Sequence, residues 1–333
     1  MQPASSRTLV TRLAPSPTGA LHLGNARTFL VNWALARRSG WRIELRMEDL
    51  DGPRVKKGAD QSAIEDLAWI GLDWDGEPTW QLDDLAPYRD ALDALRGRGE
   101  IYPCTCTRRD IRQAQSAPHA DEHELRYPGT CRPAGATGTS PLPAPSAAGS
   151  GALDQDSECW RLRIPDESVT FTDRLTGVHT FDVQKLVGDF VVATKAGLPA
   201  YQLAVVVDDA RQRISDVVRG DDLLSSTARQ IWLYRMLGLA PLPRTWHVPL
   251  VLGPDGHRLA KRHGNTRLSA YRQQGADARR VVGLLADWCG LVERRRPMDT
   301  AEFTDRFDLD RMPRTPVTFT PEDHQWLLSA RTT

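Results

Sequence analysis

Leu9-Val10-Thr11-Arg12-Leu13-Ala14-Pro15-Ser16-Pro17-Thr18-Gly19-Ala20-Leu21-His22-Leu23-Gly24-Asn25 changes its periodicity twice within one short stretch. Residues 9–14 alternate and favour a strand, Pro15 and Pro17 stop it, and from 22 to 38 the apolar Leu23, Ala26, Leu30, Trp33 and Ala34 fall at helical spacing. Strand, turn and helix in that order are the opening of an α/β fold. A His-x-Gly spacing at a helix start sets an imidazole and bare backbone N–H groups near the positive end of the helix dipole, which suits nucleotide phosphates. Taken alone, a proline-rich strand exit ending in glycine is equally a plain structural turn.

Working outward, 42–48 follows with period two, its apolar face made of Ile43, Leu45 and Met47, and Glu48-Asp49 emerges where the strand stops. In parallel α/β sheets that edge is where ligands sit. Helical patterns recur at about 59–71 and 85–98, and strands are expected at 160–164, 169–173, 200–209 and 214–219. Residues 133–152 are nearly all Pro, Ala, Gly, Ser and Thr and are expected to form a flexible surface loop. Beyond 265 the pattern is helical and arginine-rich, and the last thirty-odd residues show little apolar periodicity.

About 240 residues after the first turn comes Gly256-His257-Arg258-Leu259-Ala260-Lys261-Arg262-His263, a cationic loop. Lysine is scarce, five residues against thirty-eight arginines, so Lys261 stands out. A phosphate-binding helix start and a late lysine together suit nucleotide activation, because donors must converge on the triphosphate as charge moves toward leaving pyrophosphate. The pair points to an adenylate-forming enzyme.

Composition sets the frame. The 333 residues are 40% hydrophobic and 26% charged, with zero formal net charge, an ordinary globular balance. No cationic start leads an apolar run and no apolar stretch is long enough to span a bilayer, so a cytoplasmic protein without membrane contact is expected. Residues 225–297 hold thirteen Arg or Lys against four acids, which suits phosphates or RNA but also an ordinary solvated helical surface. Cys104, Cys106 and Cys131 cluster while Cys159 and Cys289 stand apart, a spacing that fits a metal clip better than a disulfide framework.

Five separated stretches carry a resemblance: 11–19, 46–51, 102–107, 201–209 and 217–224. In this order they resemble the glutamyl branch of the class I aminoacyl-tRNA synthetases, over about residues 9–265. They are most similar to its truncated paralogues, which attach glutamate to the queuosine base of tRNA(Asp). The resemblance implies a class I synthetase Rossmann-like parallel sheet split by a zinc-bearing insertion and followed by a small helical C-terminal region. The implied boundaries are 1–103 and 188–265 for the halves of the catalytic domain, 104–187 for the insertion and 266–333 for the tail.

By the same resemblance Arg12, Ala14 and Ser16 line a glutamate pocket, Glu48 accepts the substrate ammonium, and Tyr201 with Arg219 holds the side-chain carboxylate. A guanidinium fork matches a carboxylate with two charge-assisted bonds, whereas an amide leaves donors unmatched. The alternative for Arg12 and Arg219 is an internal salt bridge, for example with Asp49 or Asp221. His22, Gly24, Asn25 and Lys261 are the implied ATP contacts, with His22 and Lys261 acting in catalysis and Mg2+ arriving with ATP. Cys104, Cys106, Tyr127 and Cys131 fit the family's zinc clip, although His119 or His123 is close enough in sequence to replace Tyr127, and reduced buried cysteines are the plain alternative.

Departures from the family pattern are informative. Asn25 stands where a histidine is usual, and Arg258-Leu259-Ala260-Lys261 replaces Lys-x-Ser-Lys, keeping charge but losing a hydroxyl donor. Val205 and Leu223 differ from the usual asparagine and tryptophan in the direction of the queuosine-modifying paralogues. About seventy residues follow Lys261, fewer than a large helical anticodon-binding domain needs. The expected partners are L-glutamate, ATP and queuosine-bearing tRNA(Asp), met by a monomer. The competing expectations are a minimal glutamyl-tRNA synthetase charging a tRNA 3′ end and a catalytically silent, zinc-stabilised RNA-binding relic.

Overall fold

The computed structural model describes residues 8–114, 125–133, 158–259 and 266–329. Lys261, His119, His123 and all but the first residue of the 133–152 stretch lie outside them. β1 (Val10–Leu13), α1 (Leu23–Ser39), β2 (Arg42–Met47), α2 (Ala59–Trp69), β3 (Thr79–Trp80), α3 (Ala86–Gly97), β4 (Ile101–Cys104) and α4 (Arg108–Ala114) come first. Next are β5 (Cys159–Leu162), β6 (Ser168–Asp173), β7 (Gly177–Asp182), α5 (Val183–Leu186), β8 (Phe190–Ala193) and α6 (Tyr201–Arg211). They lead to β9 (Asp216–Gly220), α7 (Leu224–Leu237), β10 (Arg244–Val248) and β11 (Val251–Leu252). The described chain closes with α8 (Leu268–Gln273), α9 (Ala278–Trp288), α10 (Thr300–Arg306), β12 (Val317–Thr318) and α11 (Pro321–Leu328).

β1, β2 and β3 form a parallel sheet, with Val10 opposite Arg42 and Leu13 opposite Leu45. A second sheet runs β7-β6-β10-β9, antiparallel only at the β6–β7 hairpin. Ser215, just before β9, joins the two: its N–H donates to Val10 O at 2.8 Å and its Oγ accepts from Val10 N at 2.8 Å. The ends of β1, β2 and β9 therefore share one edge, as the sequence reading of an α/β edge requires. β4, β5 and β8 form a separate antiparallel sheet that carries Cys104.

The main core explains the C-terminal docking. Leu13, Ile43, Leu45 and Met47 from the first sheet pack with Leu23 and Leu30 of α1 and with Val281, Leu284, Leu285, Phe303, Phe307 and Phe319. Each such buried side chain contributes roughly 1.5–3 kcal/mol, so Phe303, Phe307 and Phe319, in the stretch with little apolar periodicity, still help fix the tail. Two contacts tighten the docking. Buried Arg27 of α1 donates to Pro249 O at 2.6 Å and to Trp288 O at 3.1 Å. Gly283 lies so close to the following chain that a Cβ there would sit 2.0 Å from Arg296 O, which is why the middle of α9 carries no side chain at that position.

One expected strand is a helix. Residues 201–209 form most of α6, and eight of its positions are buried, among them Leu203, Ala204, Val206 and Val207, in a second core with Leu92, Leu162 and Leu233. A short apolar run cannot be divided into buried strand and buried helix by periodicity, and a helix packed on all sides shows no polar face. Packing overrode the β-branched preference, and it brings Asp208 and Asp209 inward together.

Candidate active site

A cavity of about 850 Å³ opens at the shared edge of β1, β2 and β9. Arg12, Ala14, Ser16, Glu48, Tyr201 and Arg219 all line it, as do His22, Gly24 and Asn25. The turn and the strand ends thus share one space.

His22 is the N-cap of α1. Its Nδ1 accepts from Gly24 N at 3.1 Å and Asn25 N at 3.3 Å, while the Asn25 side chain accepts from His22 N at 3.3 Å. The N–H groups read as bare from the sequence are therefore taken by the imidazole. The imidazole's own proton then belongs on Nε2. Burial, followed by the charge of Arg258, pushes His22 down to about 4, so the ring is a neutral donor at neutral pH. A Cβ on Gly24 would meet the ring at 3.0 Å, which accounts for glycine at this position. Arg258, on the hairpin after β11, also lines the cavity and pairs with Asp222 at 2.5 Å.

The opposite side is a buried charge network. Arg12 pairs with Asp209 at 3.2 Å, so its internal partner is that residue of α6 rather than Asp49 or Asp221. Fully buried Arg46 pairs with Asp209 at 2.8 Å and Glu48 at 3.3 Å, and donates to Gln212 at 2.7 Å. Asp208 is held by Tyr88 at 2.9 Å and Gln81 at 2.8 Å. Burial raises Glu48 against the pull of Arg46 and Arg12, leaving a carboxylate that a cation in the cavity would hold ionised.

Arg219 differs from Arg12 in its support. Its Nε donates to His247 Nε2 at 3.1 Å and its Nη2 to Thr227 Oγ1 at 2.8 Å, and His247 Nδ1 lies 2.7 Å from Asp173 Oδ2. Arg46, Asp209, Asp173, Thr227 and His247 were not singled out from the sequence. Arg46 and Asp209 lie within stretches already quoted, and an arginine beside Glu48 was a usable signal. Nothing in the sequence connects Asp173 to His247.

The three thiols Cys104, Cys106 and Cys131 converge, with all sulfurs within 4.8 Å of one another. Cys106 and Cys131 sulfurs are 3.5 Å apart, and Tyr127 Oη is 3.5 Å from Cys104 Sγ. A tetrahedral ion with metal–sulfur bonds of about 2.3 Å requires ligand separations of about 3.8 Å, so this group could hold a metal. Tyr127 is kept there by backbone contact. Its N–H donates to Val187 O at 2.8 Å, and a Cβ on Gly188 would lie 2.4 Å from Tyr127 O. Cys159 Sγ donates to Cys104 O at 3.2 Å and is not one of the three converging thiols.

The arginine-rich segment is partly committed to internal pairing. Arg244 binds Asp216, Arg272 binds Glu65 and Asp66, Arg295 binds Asp287 and Asp323, and Arg296 binds Glu302. Charge counting along the chain overstated the basic surface. Among the described residues no helix is long and apolar enough to cross a membrane.

Residues 8–326 match the family model for the catalytic domain of class I tRNA synthetases (E and Q). The chain is 45% identical over 318 residues to a glutamyl-Q tRNA(Asp) synthetase of Symbiobacterium thermophilum, covering 93% of this chain and 95% of that relative. It is 38% identical over 322 residues to a glutamate–tRNA ligase of Oleidesulfovibrio alaskensis, covering 96% of this chain but 65% of the ligase. Among solved structures, a glutamate tRNA ligase from Elizabethkingia meningosepticum in complex with its amino acid aligns with a TM-score of 0.76 at 25% identity, over 96% of this chain and 68% of that one.

Proposed function

Because the chain belongs to the class I tRNA synthetases of the glutamate and glutamine group, we propose that it is a ligase that activates L-glutamate with ATP and transfers it to the queuosine base of tRNA(Asp). Class I synthetases work on ATP with Mg2+, on an amino acid and on tRNA. The observation that carries the finer reading is the meeting of Arg12, Glu48, Tyr201 and Arg219 with His22 and Gly24 around one cavity. Near-full coverage of the queuosine-directed relative supports the same choice.

In this reading the glutamate ammonium faces Glu48 and the side-chain carboxylate faces Arg219 and Tyr201. Arg12, Ala14 and Ser16 shape the pocket between them. The α-carboxylate oxygen attacks the α-phosphorus of ATP, the bond to the bridging oxygen breaks, and pyrophosphate leaves toward the α1 N-terminus. His22 Nε2–H and Lys261 are the donors to ATP, and Gly24 and Asn25, whose N–H groups are held by the His22 ring, contact it as lining of the approach. Neutral His22 donates without needing to change its protonation, so the chain contributes positioning and preorganised donors. A hydroxyl of the queuosine cyclopentene ring then attacks the mixed anhydride and releases AMP.

Zinc belongs to the same proposal, held by Cys104, Cys106, Cys131 and Tyr127, and when bound it supplies a structural cross-link between β4 and the 127–131 segment. One zinc per chain is the expected elemental content, falling in Cys131→Ser together with a lower melting temperature. A metal-free native protein of unchanged stability would refute this set. The boundaries after 103, 187 and 265, a monomeric state and a cytoplasmic location are parts of this reading.

Glutamate-dependent ATP/pyrophosphate exchange without RNA is the first test, since a catalytically silent RNA-binding relic gives none. The second is mass analysis of tRNA after incubation with glutamate and ATP. A glutamyl increment is expected on tRNA(Asp) bearing queuosine and none on the queuosine-free form. The 38% identity to a glutamate–tRNA ligase keeps 3′-end charging as the second reading. Efficient charging of glutamate tRNA would establish it in place of the first.

A further inference from the structure

The two arginines lining the amino-acid side of the cavity are supported in opposite ways. Arg12 is paired directly with a carboxylate, Asp209, at 3.2 Å. Arg219 is gripped by neutral acceptors, His247 Nε2 at 3.1 Å and Thr227 Oγ1 at 2.8 Å. Both grips fall on the Nε and Nη2 side of the guanidinium. Tyr201 of the cavity lining also hydrogen-bonds this guanidinium, and the Asp209 carboxylate that acts on it is already paired with Arg12 and Arg46, so among the described residues no carboxylate is bound directly to Arg219.

The grip follows from strand register. His247 on β10 lies opposite Arg219 on the parallel neighbour β9, and Asp173 ends β6 on the other side of β10. His247 is completely buried. Its Nδ1 meets Asp173 Oδ2 at 2.7 Å, and its backbone N–H also donates to Asp173 Oδ1 at 3.2 Å. Asp173 Oδ1 is fixed in turn by Leu175 N at 3.0 Å and Thr176 N at 2.9 Å. An ionised Asp173 can only accept, so the imidazole proton must sit on Nδ1, and Nε2 must offer its lone pair to Arg219. Burial acts to raise Asp173, yet the hydrogen bond from His247 and the turn N–H groups hold it far below the usual carboxylate range. Burial also lowers His247. The line therefore runs carboxylate, neutral imidazole, guanidinium across three adjacent strands.

We propose that His247, locked in its Nδ1–H tautomer by Asp173, is a positioning residue that aims Arg219 end-on into the cavity and thereby sets the preference for a side-chain carboxylate over a carboxamide. A directly bound aspartate would orient the guanidinium equally well but would neutralise it. One imidazole of separation orients Arg219 and leaves the substrate carboxylate as its counter-ion. Glutamine, with no charge to bring, leaves that guanidinium unmatched. This inference rests on the reading of Arg219 as the holder of the glutamate side chain.

The test is ATP/pyrophosphate exchange with glutamate, glutamine and ATP titrated separately. Asp173→Asn keeps an acceptor for the turn N–H groups but turns an amide donor toward Nδ1, driving the proton to Nε2, where it opposes the Arg219 N–H. Such a tautomer fault leaves the fold intact while misaligning the partner. The expected result is a glutamate KM raised about ten- to thirtyfold, with ATP KM and kcat within about twofold, and the glutamate-to-glutamine ratio reduced by a similar factor. His247→Leu should match it. His247→Gln, which restores an acceptor, should return the glutamate KM to within about threefold of native. Should Asp173→Asn fail to fold, the Leu and Gln variants at 247 decide alone.

An unchanged glutamate KM in folded Asp173→Asn or His247→Leu overturns the proposal, as does an equal loss in ATP KM, which marks a general structural role. Arg219→Leu separates the two levels. If it raises the glutamate KM while the relay variants do not, only this inference fails. If it leaves the glutamate KM unchanged, the reading of Arg219 itself fails.

Discussion

Lys261→Ala is expected to lower kcat for glutamate-dependent ATP/pyrophosphate exchange by about two orders of magnitude, the usual consequence of losing one donor to a transition-state charge. The glutamate KM should stay near native, because the amino-acid contacts lie on the other side of the cavity. Lys261 itself is outside the described residues, but the chain on both sides of it is tied to the His22 turn. Leu259, buried, donates its N–H to Val251 O at 3.0 Å, and Val251 lies against Gly24. On the far side, Thr266 O accepts from Leu23 N at 3.0 Å and Leu268 N donates to Leu21 O at 2.8 Å. The described chain on either side of residues 260–265 is thus anchored near the turn that begins α1. In the proposed reaction Ala260 would supply no hydroxyl donor, so Lys261 would bear a larger share of the developing charge. Unchanged exchange would remove it from the chemistry.

How far this site was legible depends on the kind of signal each residue left. His22, Gly24 and Glu48 sit at changes of local period, where a strand ends or a helix begins, and a single sequence displays such points directly. Residues 201–209 were misassigned because a uniformly apolar run loses its period when every side is covered, and their capture between β8 and α7 depends on residues far away in the chain. The same event hid Asp209 as the partner of Arg12, since neighbours 197 positions apart carry no joint pattern in one sequence. Asp173 and His247 are separated by 74 positions and meet only because β6 and β10 pair. Motifs reveal groups that face the ligand, whereas the groups that orient them are fixed by topology.

That distinction governs the effect expected of Glu48→Gln. Glu48 is buried and lies 3.3 Å from Arg46, so its replacement would threaten the fold only if Arg46 had no other support. Arg46 also holds Asp209 at 2.8 Å and Gln212 at 2.7 Å, and the glutamine side chain nearly matches glutamate in size. The fold should persist and the cost should fall on the ligand. A substrate ammonium would then face a neutral amide in a desolvated site, a loss of about 2–4 kcal/mol, or roughly thirty- to a thousandfold in glutamate KM. ATP KM should be unaffected. The pH dependence supplies an independent check with a definite sign. Burial raises the Glu48 pKa, against Arg46 and Arg12, so acid neutralises this carboxylate earlier than an exposed glutamate. Native glutamate KM should therefore climb as pH falls toward the carboxylate range, while Glu48→Gln, already neutral, should keep only the lower limb set by the substrate's own side-chain carboxylate, about 4.3 when free. A folded Glu48→Gln with native glutamate KM, or one whose acid limb is unmoved from native, would assign the ammonium to another group.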